Sequence, residues 1–307
     1  MRSVTRWLLR PGTPRALAVV RIATNGWTLW YLARRWKLIT RVARGDDRDF
    51  QGVGVVRPLK RPLPPNVIKA TTAANYAATA LATLGVAHRV SGPATAALSW
   101  WTLTYRNSWR MVYHSDNLAV LHLTVLGVSP AADALSVDAL IAKRRGTPIP
   151  NAPSWQYGWP IQTINAVTSA AYFLAGTAKL TGSLGPTWAT GEHLRTQIAV
   201  DGIRKAMLRP DHDAKARPFV EFVDKRPWMW SAFAVGSLVA ELGAPIALVD
   251  RRVGRLWSLG AFGMHLGIKA IMQITFRYQL AGVPYAGFCA APAATGPTTV
   301  VGATAPR

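Results

Sequence analysis

Three side chains stand where general acid–base chemistry could be done: His114, Lys179 and His265. Lys179 closes the run AAYFLAGTAKL (Ala170–Leu180), whose other residues are mostly small and apolar. An ammonium in such surroundings loses hydration, which favours the neutral amine, and a neutral amine is a competent base near neutral pH. Gly176, Thr177 and Ala178 leave room beside it. A lysine at the end of an apolar run can equally be an anchor, with its stem on apolar surface and its head in water. Spacing alone leaves both roles open. His114 begins the element HSDN, and His265 lies inside the apolar string FGMHLGIKAIM.

No rival chemistry competes with these groups. The chain has no G-x-x-x-x-G-K-[ST] loop, no G-x-G-x-x-G after a strand, no H-E-x-x-H helix and no G-x-S-x-G elbow. GTAKLTG has the wrong order and spacing to cradle a phosphate, and DHDAK (Asp211–Lys215) reads as a solvated loop cluster. The single cysteine, Cys289, excludes an intrachain disulfide and any Cys-based metal site, so no metal is expected.

The elements that must hold the three groups are apolar blocks of about 20 residues, the length that crosses a bilayer. They are Ala16–Ala33, Lys69–Ala87, Ala94–Tyr113, Asn117–Leu135, Trp159–Leu180, Trp228–Val249 and Arg255–Phe276. Several are rich in Ala, Thr and Gly, which lets helices pack closely inside a membrane bundle. The 307 residues have a mean hydropathy of only +0.13 because very basic connections dilute these blocks. The expected fold is all-α: a polytopic integral membrane helix bundle of about seven spans plus short interfacial helices. Residues 1–14 form a basic N-terminal segment, 15–283 the membrane domain, and 284–307 a Pro/Gly/Thr-rich tail expected to be disordered. The basic start followed by an apolar stretch resembles a signal peptide, but Arg21 and Asn25 interrupt it and no small-residue cleavage site follows, so it is read as the first span.

A formal net charge of +22 raises nucleic acid as a partner. The basic residues, however, sit between the blocks, as in RPLKRPLPP and AKRRG, and the 13 Trp cluster near block ends. That distribution fits the positive-inside rule, attraction to anionic membrane lipids and interfacial aromatic belts, so no nucleic-acid partner is expected. The long basic connections Arg34–Lys69 and Thr181–Pro227 are assigned to the cytoplasmic side of the cell membrane. Ser136–Arg145 and Gly191–Leu208 show helical periodicity. In the second, Leu194, Ile198, Ile203 and Leu208 are expected to form one apolar stripe on an interfacial helix.

Polar residues inside spans are costly and therefore informative. Asn25, Asn75 and Asn165 are read as hydrogen-bonding glue between helices, His122 as a satisfied interior histidine, and Lys269 as reaching an interface. Arg21 and Glu241 are expected to neutralise each other.

At these residues a family resemblance emerges. YHSDNLAVLHLTVLGVSPAADALSVDALIAKRRG and PSWQYGWPIQTINAVTSAAYFLAGTAKLTG resemble the membrane part of vitamin K-dependent gamma-glutamyl carboxylase. They are equally similar to its bacterial relatives, the horizontally transferred transmembrane (HTTM) domain proteins. LVAELGAPIAL, FGMHLGIKAIMQITFRYQLAG and ALAVVRIATNG fit the same pattern, so that the likeness runs from Arg15 to Gly282. The resemblance implies that Lys179 is the base that deprotonates reduced vitamin K or menaquinol, and that His114 supports it. Tyr172, Gly176 and His265 are then expected at the quinol. In the carboxylase, oxygen chemistry on that quinol generates the strong base for glutamate carboxylation, which needs a dry site. Three departures bear on the substrate. The carboxylase has a large substrate-capturing domain after its membrane part, a second lysine where Ala178 stands, and a tryptophan close behind its KL, delayed here to Trp188. The expectation is a carboxylase-like quinol enzyme of the membrane with another membrane or peptide partner, and the substrate of any carboxylation is left unassigned. The alternative is a non-catalytic quinone- or lipid-binding subunit, or a scaffold, of the same fold.

Overall fold

The computed structural model of the protein describes residues 2–42, 45–109, 111–208 and 218–290. Among these residues the chain is helical, with one isolated bridge, Gly12–Ser154, and no strand. A short α1 (Arg2–Leu8) precedes α2 (Pro14–Val42), α3 (Pro65–Leu84), α4 (His88–Asn107) and α5 (His114–Gly127). Then follow α6 (Val137–Arg144), α7 (Trp155–Thr181), α8 (Glu192–Leu208), α9 (Trp228–Leu242) and α10 (Arg251–Met272). Every apolar block thus contains a helix, and the two periodic segments expected outside the blocks are α6 and α8.

Local signals set several boundaries. Ser136 Oγ accepts the Ala139 amide (2.9 Å) at the start of α6, and Asp250 accepts the Arg252 amide (2.7 Å) at the start of α10. α3 stops at Gly85, whose φ of +65° only glycine adopts without strain, and a Cβ there would lie 1.9 Å from the Arg21 guanidinium.

Helices α2 to α5 pack as successive antiparallel neighbours. Leu17 and Val20 of α2 share a core cluster with Tyr157 and Ile161 of α7, so α2 and α7 run parallel. Leu126 of α5 joins that cluster while His122 bonds to Thr168, so α5 is antiparallel to α7. The C-terminal ends of α2, α4 and α7 therefore gather with the N-termini of α3 and α5 at one end of the bundle. Both long basic connections leave from that end.

Two of the helices, α3 and α10, turn small polar residues inward and aliphatic ones outward. On α3, Thr72, Asn75 and Thr79 are buried while Val67, Leu81 and Leu84 are exposed. On α10, Gly254, Ser258 and His265 are buried while Leu256 and Leu259 are 71% and 69% exposed. This inverts the usual distribution of a water-soluble protein. Among the described residues no helix is long and apolar enough to cross a membrane. The buried Thr, Asn and Ser lower each helix's average hydropathy even where its outer face is aliphatic.

Some expectations need correction. The packed chain continues past 283: Val283–Tyr285 and the short helix α12 (Ala286–Cys289), which follows α11 (Arg277–Leu280), bury Pro284, Tyr285 and Phe288. On α8, Ile198 is buried but Ile203 is exposed, so the expected stripe is broken. Asn75 does link helices, accepting from Ser99 Oγ at 3.1 Å, whereas Asn25 only returns to the carbonyl of Arg21 on its own helix. The Asp211–Lys215 cluster and the tail from 291 lie outside the described residues.

Candidate functional site

Tyr172, Gly176 and Lys179 recur at intervals of four and three on α7 and so share one face. α9 comes close at Gly176: a Cβ on it would sit 2.9 Å from the Glu241 Cβ and 3.1 Å from Leu242 side-chain atoms. That approach lays Glu241 against Lys179, whose Nζ donates to both carboxylate oxygens at 2.7 Å. The pair is mostly removed from solvent, the lysine side chain 24% exposed and the glutamate 8%. After α7 the chain folds into a 3₁₀ turn, Gly185–Thr190, which sets the Trp188 ring 4.9 Å from Lys179 Nζ. The tryptophan that the sequence places late thus still covers the lysine, in a cation–π contact.

Two turns before Lys179 on the same face a second polar group is assembled. Tyr172 and Tyr285 hydroxyls are 2.5 Å apart, and the Tyr172 hydroxyl is 3.3 Å from His265 Nδ1. The Ala261 carbonyl lies 2.9 Å from the same nitrogen. A carbonyl can only accept, so Nδ1 carries the proton and, in the neutral imidazole, the Nε2 lone pair is left available. Trp257 packs edge-on to Tyr172 at 5.1 Å and Phe276 edge-on to His265 at 5.1 Å.

A cavity of 780 Å³ runs between α9 and α10 from Lys179 and Trp188 past Phe233 and Met264 to Ile271. Its walls are almost wholly apolar. A Cβ added to Gly236, Gly260, Gly263 or Gly267, all lining it, would meet no atom within 4 Å. These glycines therefore leave the groove wide rather than letting two helices touch.

Of the five residues singled out from the sequence, the structure gathers Tyr172, Gly176, Lys179 and His265 around α7, α9 and α10. His114 stands apart. It is the exposed first residue of α5 and forms no hydrogen bond or ion pair among the described residues. Its neighbours carry the local order instead: Ser115 donates to Gln279 Oε1 (2.9 Å), and Asp116 pairs with Arg106 (2.7 Å). His122 is satisfied on both nitrogens, by Tyr278 (2.7 Å) and Thr168 (3.1 Å), as an interior histidine should be.

The expected Arg21–Glu241 pair does not form. Arg21 donates to the Leu135 carbonyl at 2.6 Å, and Glu241 belongs to Lys179. Sequence reasoning missed Glu241 as that partner, and missed Trp188 and Tyr285 as site residues. The available signal was a lone acid inside one apolar block and a lone lysine inside another, which a desolvated bundle has reason to pair.

The HTTM domain family model matches residues 9–280, nearly the whole chain. The chain belongs to the HTTM domain family. No curated protein and no solved structure matches it. In this HTTM protein the match includes Tyr172, Gly176, Lys179, Glu241 and His265, while Tyr285 lies beyond it.

Proposed function

We propose that this HTTM protein is a multi-pass protein of the cell membrane that binds a reduced naphthoquinone, such as menaquinol or reduced vitamin K, in the groove between α9 and α10. The observation that carries the proposal is the ion pair Lys179–Glu241, mostly removed from water, at the end of an apolar cavity of 780 Å³. A quinol is an amphiphile of matching form, with an ionisable ring at one end and a long hydrocarbon chain at the other. Ligand sites of this kind are mostly apolar with a few convergent polar groups. Membrane residence is supported by the exposed aliphatic faces of α3 and α10 and by basic residues at helix ends.

The chain's own residues divide the work. Lys179 must shed a proton before it can accept one, and Glu241, bonded to it through both oxygens, is the acceptor at hand. Trp188 covers the amine and helps exclude water. Tyr172, tied to Tyr285 and His265, forms a buried cluster behind Trp257 and Ala261 of the groove wall, and of the residues expected at the quinol only Lys179 lines the groove itself. The quinol, when bound, supplies with oxygen the strong base that carboxylation of a glutamyl side chain requires. Here the resemblance to the carboxylase gives the reaction class, a carboxylase-like quinol epoxidation. The carboxylated partner would be another membrane or peptide molecule.

One observation favours a non-catalytic, quinone- or lipid-binding role in the same fold: His114, the expected helper, has no contact with Lys179. The test is turnover of a reduced naphthoquinone by the purified protein in lipid, wild type beside Lys179→Ala. Epoxide from the wild type alone is the expected result. Bound quinone with no epoxide from either would leave a binding module.

A further inference from the structure

A second polar centre lies at the end of the bundle where α2 and α4 finish and α5 begins. Its base is the Arg106–Asp116 ion pair, both side chains 2% exposed, completed by a hydrogen bond from Arg106 to the Tyr31 hydroxyl. The Arg106 guanidinium also lies 3.7 Å from the centre of the Tyr113 ring. Tyr31 stacks on Trp27, and Trp27 packs on Tyr278 at 4.7 Å, which delivers the adjacent Arg277 to the same place. Arg34 and Arg35 follow Tyr31 by one turn of α2. Arg34, Arg35 and Arg106 all lie within electrostatic reach of Arg277, and Arg35 within reach of Asp116.

Asp116, the carboxylate at this centre, is already bonded to Arg106 and has Arg35 within its reach, while Arg34 and Arg277 lie exposed around it. Arg34, Arg35 and Arg277 donate to no group among the described residues, although each carries five N–H donors. Like charges gathered around a single, already paired carboxylate repel one another, and an anion bound among them would relieve that repulsion. A planar guanidinium fork matches the oxygens of a phosphate. The outer face of α2 indicates where the phosphate comes from. Trp30, Arg34 and Leu38 recur every four residues on one exposed stripe, an aromatic and an aliphatic side chain flanking the cation. Trp30, one turn inside Arg34, fits an interfacial aromatic belt with the cation on its headgroup side.

We propose that Arg34, Arg35 and Arg277, backed by Arg106, form a binding site for the phosphate of an anionic phospholipid headgroup. This rests on the membrane-embedded reading given above. The test uses the full chain in phosphatidylcholine nanodiscs with added phosphatidylglycerol. Native mass spectrometry measures retained phosphatidylglycerol, and vesicle flotation separately measures membrane insertion. The combined variant Arg34→Gln, Arg35→Gln, Arg277→Gln should float as the wild type does and hold phosphatidylglycerol at least tenfold more weakly. A control, Lys143→Gln with Arg144→Gln on exposed positions of α6 at the opposite end, should retain it like the wild type. Equal retention by wild type and triple variant would overturn the site. Displacement of the lipid by soluble glycerol phosphate at matched concentration would also overturn it, by making it a site for free anions. A wild type that does not float would sink the membrane reading itself, and this proposal with it.

Discussion

Removing either partner of the Lys179–Glu241 pair leaves the other behind, and the two remainders are not equally costly. In Lys179→Met, Glu241 stays at 8% exposure with its opposite charge gone. A carboxylate stranded there takes up a proton instead, which caps the cost. Protonating a carboxyl of ordinary value about 4.3 at pH 7 costs about 3.7 kcal/mol, at 1.36 kcal/mol per pH unit. In Glu241→Gln, Lys179 keeps its 24% exposure, the Trp188 face and a hydrogen-bonding amide. The expected loss is then about 1–2 kcal/mol, below the 3–5 typical of a fully buried broken pair. At roughly 2 °C per kcal/mol for a long chain, thermal unfolding in detergent at pH 7 should fall by about 7 °C in Lys179→Met and about 3 °C in Glu241→Gln. The sign of the pH dependence separates the two further. The proton that Glu241 needs in Lys179→Met becomes cheaper as pH falls, so at pH 5.5 its cap drops to about 1.6 kcal/mol, while the Glu241→Gln loss stays level. A Lys179→Met defect that does not shrink with acid, or a Glu241→Gln defect that is the larger, would refute the picture of a desolvated pair.

The remaining predictions concern other parts of the site and its frame. Gly263→Leu should leave the melting temperature within about 1 °C, because its Cβ enters open space, yet should weaken naphthoquinone binding at least tenfold, measured by tryptophan quenching. Gly85→Ala should cost about 2 kcal/mol or more, since it adds a left-handed alanine and a contact with the Arg21 guanidinium, and chemical denaturation in detergent reads this directly. Asp250 outside the helices is held below the ordinary carboxylate range by the amides of Arg252 and Val253. Its contribution to stability is therefore present above the unfolded carboxyl value and lost as pH falls through the depressed one. Asp250→Asn should flatten that part of the acid limb of the melting curve.

The helices were legible in the sequence because their signals are local. Block length and helical periodicity each act within a few residues of where they stand, as do the Ser136 and Asp250 caps and the Gly85 stop that the structure adds. So did the candidate face Tyr172, Gly176 and Lys179, because a helical period alone aligns it. What Lys179 faces was not legible. The sequence reading paired Glu241 with Arg21, and the close approach of α9 at Gly176 gives it to Lys179 instead. The same holds for Tyr285, which the sequence assigned to a tail. Its hydroxyl reaches Tyr172 across 113 residues, a pairing that no local pattern encodes. The groove glycines read as packing residues by composition, and the tertiary structure left their faces open. The sequence by itself determined the helices and the residue types that could do chemistry, since propensity and periodicity are short-range. Only the tertiary structure decided which charges meet and where a cavity remains, since both depend on how closely distant helices approach.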